Sequence, residues 1–260
     1  MNPTDNRTPV RRWERGELHE IEEVVAEERA VALVYNGVSH AVMMATPEDL
    51  EDLAFGFSMS ENIIAEPSQL YGVNLEEHPL GIELNIEIAS ARFAELNKRR
   101  RNLTGRTGCG LCGAESLEQA ILPLRRVGVV EPIPDRAIQR AGISFGEHQP
   151  LQALTGAVHG AAWCDRTGEV MVLREDVGRH NALDKLLGSL ARSGFDRDAG
   201  FVFLSSRISF EMVQKVSAFD IAVLAAVSAP TRLAIEVAER SGVMLIAFVR
   251  TDRHSVYTRS

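Results

Sequence analysis

The spacing of apolar positions changes character several times along this chain, and each change marks a different element. In RAVALVYNGVSHAVMMA (residues 29–45) two apolar-rich runs flank Asn36-Gly37. That pair best tolerates the positive φ angles of a two-residue hairpin, so two strands are predicted. TPEDLEDLAFGFSMSENII follows with helical spacing. Thr46 reads as its N-cap, Pro47 as its first helical residue, with acidic side chains in the first turn. LYGVNLEEHPLGIELNIEIA returns to alternation around Pro79 to Gly81, and SARFAELNKRRRN closes with a short helix. Residues 20–102 therefore read as a small α+β domain. Ahead of it, residues 1–19 are polar, charged and interrupted by Pro3 and Pro9, which predicts a disordered arm.

The pattern breaks at TGRTGCGLCG (104–113), where glycine recurs at 105, 108, 110 and 113. GAESLEQAI then predicts a short helix beginning close to Cys112, and LPLRRVGVVEPIPDRAIQRAG carries three prolines and reads as a connection between the halves. Residues 103–135 read as a mobile Cys-x-x-Cys loop and connector. Residues 136–260 read as a second domain, whose pattern changes character from about residue 149. A helix, a hairpin around Asp165 to Gly168 and the helix RHNALDKLLGSLARSG lead into the strands GFVFLS, IAVLAAV and VMLIAFV, separated by SFEMVQKVSAF and TRLAIEVAERSG. Alternating helix and apolar strand predicts a three-layer α/β domain whose later strands run parallel. Ligands in such sheets bind beyond the carboxyl ends of the strands. Three loops lie there: Ser205-Ser206-Arg207, Ser228 to Thr231, and Phe248 to Arg253.

Charge narrows the function classes. The formal net charge of −8 excludes a broad nucleic-acid face, which needs many cationic contacts to phosphate. A local anion site is still compatible with it, and NKRRRNLTGR (97–106) concentrates cations just before the cysteines. No stretch reaches the ~20 apolar residues of a membrane span. Three cysteines and an N-terminus without an apolar run predict a reducing cytoplasm.

Two of the three cysteines, Cys109 and Cys112, sit in the glycine-broken loop. A zinc knuckle needs four ligands. Only Cys164 and His159 are on offer, five residues apart on one predicted strand and so on opposite faces. The Cys-x-x-Cys zinc deaminases also need His-x-Glu and a proline where this chain has Gly108. A thioredoxin-type dithiol follows a strand in a βαβ unit, unlike this loop. What remains is a reactive thiolate, its pKa lowered from about 8.5 by Arg101, Arg106 and the helix downstream.

REDVGRHNALDK (174–185) gathers eight ionisable or amide side chains at a strand-to-helix turn. One reading is an N-cap at Asp176 with solvated ion pairs. The other is an anion and heterocycle site, with Arg179 and Lys185 donating to phosphate and Asp176 or His180 as hydrogen-bond partners. Ser205, Ser206 and Arg207 precede a helix start suited to phosphate, Ser228 opens a weaker version, and Arg250 and Arg253 follow the last strand. His159 and Cys164 are assigned to hairpin packing.

Taken in order, TGRTGCGLCG, TGAVHGAAW, REDVGRHNALDKLLG, SSRISFEMVQKV, VSAPTRLAIEVAE and AFVRTDRHSVYT resemble the FdhD family, the accessory sulfurtransferases of formate dehydrogenase, over residues 29 to 258. Ser206, where glycine is common, and Phe210, where tyrosine is common, depart from the pattern. The resemblance implies an α/β, cytidine-deaminase-like C-terminal fold with no deaminase metal. It also implies a sulfurtransferase that takes persulfide sulfur from a cysteine desulfurase. That sulfur passes to the bis-molybdopterin guanine dinucleotide cofactor, a bound substrate, before the cofactor enters the formate dehydrogenase apoenzyme. By that likeness Cys109 carries the persulfide and Cys112 is the second thiol. Phe248, Val249, Arg250, Thr251, Asp252 and Arg253 form the cofactor-binding stretch. The family's homodimeric state is expected too. The competing reading is a cofactor-binding chaperone whose cysteines only contact a partner.

Overall fold

The computed structural model describes residues 6–104 and 125–258. β1 (Arg7–Glu14) and β2 (Glu17–Val24) form an antiparallel ribbon. It turns at Arg15 and Gly16, whose φ angles are 52° and 97°. Over residues 7–19 this corrects the disordered arm expected for residues 1–19, of which residues 1–5 lie outside the described residues. Charge density hid the alternation, yet the charges themselves support the ladder, through Arg12 with Glu23 and Arg7 with Glu22. Two positive φ angles at Arg15-Gly16 make the tight hairpin turn whose twist matches its strands.

The first sheet contains β3 (Arg29–Tyr35), β4 (Val38–Ala45), β5 (Leu70–His78) and β6 (Gly81–Ile88) in the order β4-β3-β6-β5, with β3 and β6 parallel. Asn36 and Gly37 make the predicted turn, at φ 46° and 80°. Helix α1 (Leu50–Ser60) buries Leu50, Leu53 and Ala54 in one core with Val31, Leu33, Leu84 and Ile86. α2 (Ser90–Thr104) follows β6 and adds Leu96 to that core. Thr46 does not cap α1, which starts four residues later behind Asp49 in a left-handed conformation. Its hydroxyl instead accepts from the amide of Val177, 3.0 Å away in the second half of the chain.

That half opens with α3 (Asp135–Glu147), which buries Ala137, Ile138, Ala141 and Phe145 along one stripe. The prolines at 132 and 134 made this helix read as connector, but both precede its first turn, where proline is harmless. α4 (Pro150–Thr155), β7 (His159–Asp165), β8 (Val170–Asp176), α5 (Arg179–Ser193), β9 (Gly200–Leu204), α6 (Phe210–Ala218), β10 (Val223–Ala226), α7 (Arg232–Ser241), β11 (Met244–Ala247) and β12 (Ser255–Val256) complete a mixed α/β unit. Its sheet has the order β12-β11-β10-β9-β7-β8. β9, β10 and β11 run parallel, and β7 is antiparallel to both its neighbours. Every residue of β9 and β10 is buried, as expected of parallel strands covered on both faces. The helix predicted at GAESLEQAI lies outside the described residues.

The two cores are joined by a helix crossing and a set of buried ion pairs. At Gly56 of α1 an added Cβ would stand 1.8 Å from the carbonyl oxygen of Asp184, and at Gly188 of α5 one would stand 1.9 Å from that of Asp52. The backbones therefore touch. Around the crossing Lys185 Nζ lies 2.7 Å from Asp176 and donates to the Thr46 carbonyl at 2.9 Å. Asp176 accepts from the Thr46 amide at 3.0 Å. Lys215 Nζ meets Asp184 at 2.9 Å and Ser60 Oγ at 2.9 Å, and Arg174 and Arg192 converge on Asp52. Among the described residues no helix is long and apolar enough to cross a membrane.

Candidate functional site

Strand direction and register decide which side chains share an edge. β9, β10 and β11 all end on one edge of the sheet, and the antiparallel register brings His159 of β7 opposite Asp176 of β8 at the same edge. The loops there are tied to one another. The Gly160 amide donates to Ser205 Oγ at 2.9 Å, the Val227 amide to the Leu204 carbonyl at 3.0 Å, and the Phe248 amide to the Ser228 carbonyl at 3.3 Å. Arg250 Nη1 donates to the Val227 carbonyl at 2.7 Å. The edge thus places Arg179, His180, Ser205, Arg207, Ser228, Phe248 and Arg250 around one line.

Arg179 opens α5, where the first amides have no partner within the helix. Its Nε is buried and, among the described residues, has no hydrogen-bond partner. A buried donor left unpaired carries a desolvation cost of roughly 1–3 kcal/mol, so it is an acceptor's position. Beside it His180 Nε2 lies 2.8 Å from Glu211 Oε2, linking the starts of α5 and α6. His159 Nδ1 is 3.5 Å from Ser205 Oγ. Burial and the neighbouring Arg179 guanidinium push the His159 imidazole below its ordinary value. A neutral imidazole between a guanidinium and a hydroxyl can accept or pass a proton at this edge.

Several expected ligand residues serve other purposes. Lys185 is fully buried and holds Asp176, so its expected donation to phosphate is corrected. Asp176 itself accepts from the Gly178 amide and Asn181 Nδ2 at 2.8 and 3.0 Å. Glu175 accepts the amides of Leu151 and Gln152, both at 2.8 Å, and so caps α4. REDVGRHNALDK is therefore mostly a clasp between the two cores, and of its charged residues Arg179 and His180 face the edge. Val249, expected in the cofactor stretch, is 2% exposed and belongs to the core. Ser206 is buried and its hydroxyl donates to the Arg207 carbonyl at 3.0 Å. Thr251, Asp252 and Arg253 are exposed, and Thr251 lines a groove along α3 with Arg136, Gln139 and Arg140.

Cys109 and Cys112 lie outside the described residues. Cys164 is fully buried, and desolvation pushes its thiol well above the usual range. Sequence reasoning assigned His159 to packing and overlooked Glu211. The flanking glycines of His159 were a signal, but only the β7–β8 register reveals that it stands level with the start of α5.

The family model described as the FdhD/NarQ family matches residues 26–260, beginning just after the β1–β2 ribbon. A curated protein of Cupriavidus necator named sulfur carrier protein FdhD is 52% identical over 255 residues, covering 98% of this chain and 88% of that protein. One of Bordetella petrii with the same name is 50% identical over 234 residues, covering 90% and 84%. The crystal structure described as a putative formate dehydrogenase accessory protein from Desulfotalea psychrophila superposes with a TM-score of 0.73 at 24% identity, covering 97% of this chain and 96% of that one. At that identity the superposition speaks for the fold.

Proposed function

This chain belongs to the FdhD/NarQ family, and on that premise we propose that it is a sulfur carrier in formate dehydrogenase maturation. The observation that carries the reading is the likeness to sulfur carrier proteins at about half identity over nine-tenths of the chain or more. The two thiols of Cys109 and Cys112, the only cysteines besides the inert Cys164, are the sulfur-handling groups. In the loading step the Cys109 thiolate attacks the outer sulfur of a cysteine desulfurase persulfide. A new S–S bond forms on Cys109 as the desulfurase leaves as a thiolate. In the delivery step the terminal sulfur passes to the bis-molybdopterin guanine dinucleotide cofactor, which is substrate here. Attack of the Cys112 thiolate on Cys109 frees that sulfur as sulfide and leaves a disulfide, which a cellular thiol then reduces.

Support for the cofactor's place comes from the sheet edge. Arg179 with its unpaired Nε, Arg207, Ser205, Ser228 and the turn from Phe248 to Arg250 offer cations and donors to pyrophosphate within an acidic molecule. Phe248, 41% exposed at φ 54°, offers a ring to a heterocycle. The sheet order agrees with a cytidine-deaminase-like layering, and we read the unit so, in the cytoplasm.

Mass spectrometry after incubation with a cysteine desulfurase and cysteine tests the reading. One added sulfur on the peptide bearing Cys109, absent from Cys109→Ala, is expected. Arg179→Ala should load sulfur normally yet fail to restore formate dehydrogenase activity in cells. A protein that never acquires sulfur but still supports the dehydrogenase would instead be a cofactor chaperone.

A further inference from the structure

Beside the clasp lies a cavity bounded by groups that the sulfur chemistry does not use. It opens between the start of α1 and α4, along the edge strand β8, and holds about 260 Å³. Leu151, Leu154 and Leu173 supply its apolar surface, and Glu48, Asp49, His148 and Glu175 its polar surface. Sites for drug-sized ligands run from about 300 to 1,000 Å³, so this one suits a group the size of a single side chain.

The polar groups differ in what they have left to offer. Asp49 faces Arg174 at 3.4 Å, and Glu175 spends its two oxygens on the amides of Leu151 and Gln152. Glu48 has no such partner. Its Oε2 is buried and, among the described residues, accepts no hydrogen bond. An unpaired buried acceptor is costly, and more so when it is charged. His148 Nδ1 donates to the Ser144 carbonyl at 2.9 Å, which leaves Nε2 of the neutral ring as a further acceptor. The cavity therefore calls for a donor that carries positive charge.

The leucines narrow the class of that donor. A hard divalent ion takes about six to eight oxygen ligands, whereas among these carboxylates only Glu48 is free. An aliphatic stem with a charged tip matches both surfaces at once, since such a group buries its methylenes and keeps its head on polar partners. A guanidinium also forks across a carboxylate.

We propose that this cavity binds an organic cation on an aliphatic stem, a guanidinium or an ammonium, with Glu48 as its charge partner and Leu151, Leu154 and Leu173 along the stem. The stem belongs either to a free small molecule or to an arginine or lysine side chain of another polypeptide; the head group is common to both. Thr46, two residues before Glu48, is tied to Asp176 and Val177. An occupant thus joins α1 to α4 across the same seam as the clasp, and stabilises the whole chain.

Titration of the full chain with n-butylguanidinium at millimolar concentration tests the site, with n-butanol as the uncharged control. The NMR signals of the His148 ring should shift and saturate, and the melting temperature should rise along the same curve. n-Butanol should do neither. Glu48→Gln should weaken binding at least tenfold and, by removing an uncompensated charge, raise the melting temperature of the free chain. Leu154 is 48% exposed, so Leu154→Ser should weaken binding severalfold without altering the circular dichroism spectrum. A blocked peptide with one central arginine distinguishes the two sources. Tighter binding than that of the free cation assigns the site to a polypeptide, and exclusion of the peptide assigns it to a small molecule. A His148 signal that never saturates overturns the proposal, as does binding unchanged in Glu48→Gln or an equal response to n-butanol. Sulfur loading of both variants should equal wild type, which separates this outcome from the fate of the carrier function.

Discussion

Lys185 shows how a charged residue can mislead. In sequence it reads as a phosphate donor; in the fold its ammonium is fully buried against Asp176 and the Thr46 carbonyl. Removing one member of a buried pair leaves the other charge uncompensated, at a cost of about 3–5 kcal/mol. Lys185→Met should lose that much stability in urea titrations, where a solvated phosphate ligand would lose almost none. His159 makes the opposite point, since a residue assigned to packing stands at the candidate site. Because burial and Arg179 lower its pKa from the ordinary 6.5, the folded chain binds fewer protons than the unfolded chain just below pH 6.5. Stability therefore rises with pH through that window and is lost on its acid side. The His159 ring should titrate below 6.5 by NMR, and Arg179→Ala should move its midpoint upward.

Among the elements, α1 and α5 are the most constrained pair. Their crossing depends on two glycines far apart in sequence, each facing a carbonyl of the other helix at less than 2 Å from any added Cβ. Gly56→Ala or Gly188→Ala must push the helices apart and disturb the ion pairs beside them. A loss of about 3 kcal/mol or more is expected, at the upper end of overpacking costs. Gly146 in α3 has open space where a Cβ would go, so Gly146→Ala should be neutral or gain up to ~1 kcal/mol. Thermal melts of the three variants distinguish crossing from mere helix propensity. Neither crossing glycine stood out in the sequence, because helical spacing does not say which face meets which helix. The predicted strand pairs around Asn36-Gly37 and Asp165 to Gly168 were legible, because a hairpin is decided by its own few residues. α3 was not, because prolines just ahead of a helix look the same as prolines in a linker.

Across the whole molecule the clasp joins two cores that would otherwise be separate. Thr46, Asp52 and Ser60 on one side bind Asp176, Lys185, Asp184, Lys215 and Arg174 on the other, at sequence separations above 100 residues. The chain should therefore unfold in a single calorimetric transition. Asp176→Asn, which strips the charge facing Lys185, should broaden or split it. The clasp also sets where α5 begins, and thereby holds Arg179 and His180 at the sheet edge. Both ends of these twelve residues, Arg174 to Asp176 and Asp184 to Lys185, join the two cores, and the middle, Arg179 and His180, belongs to the candidate site.

By itself the sequence determined most of the local elements, though not the β1–β2 ribbon or α3, together with the acidic balance, the pair of thiols at 109 and 112, and the family likeness in its ordered motifs. These depend on neighbours in the chain or on residue types. Tertiary structure alone decided which of the charged residues at 174–185 turn inward, that Val249 is core, that His159 stands beside Arg179, and that the first strands leave Trp13 in solvent. Each of those depends on sheet register and helix crossing, which bring together residues that no local pattern connects.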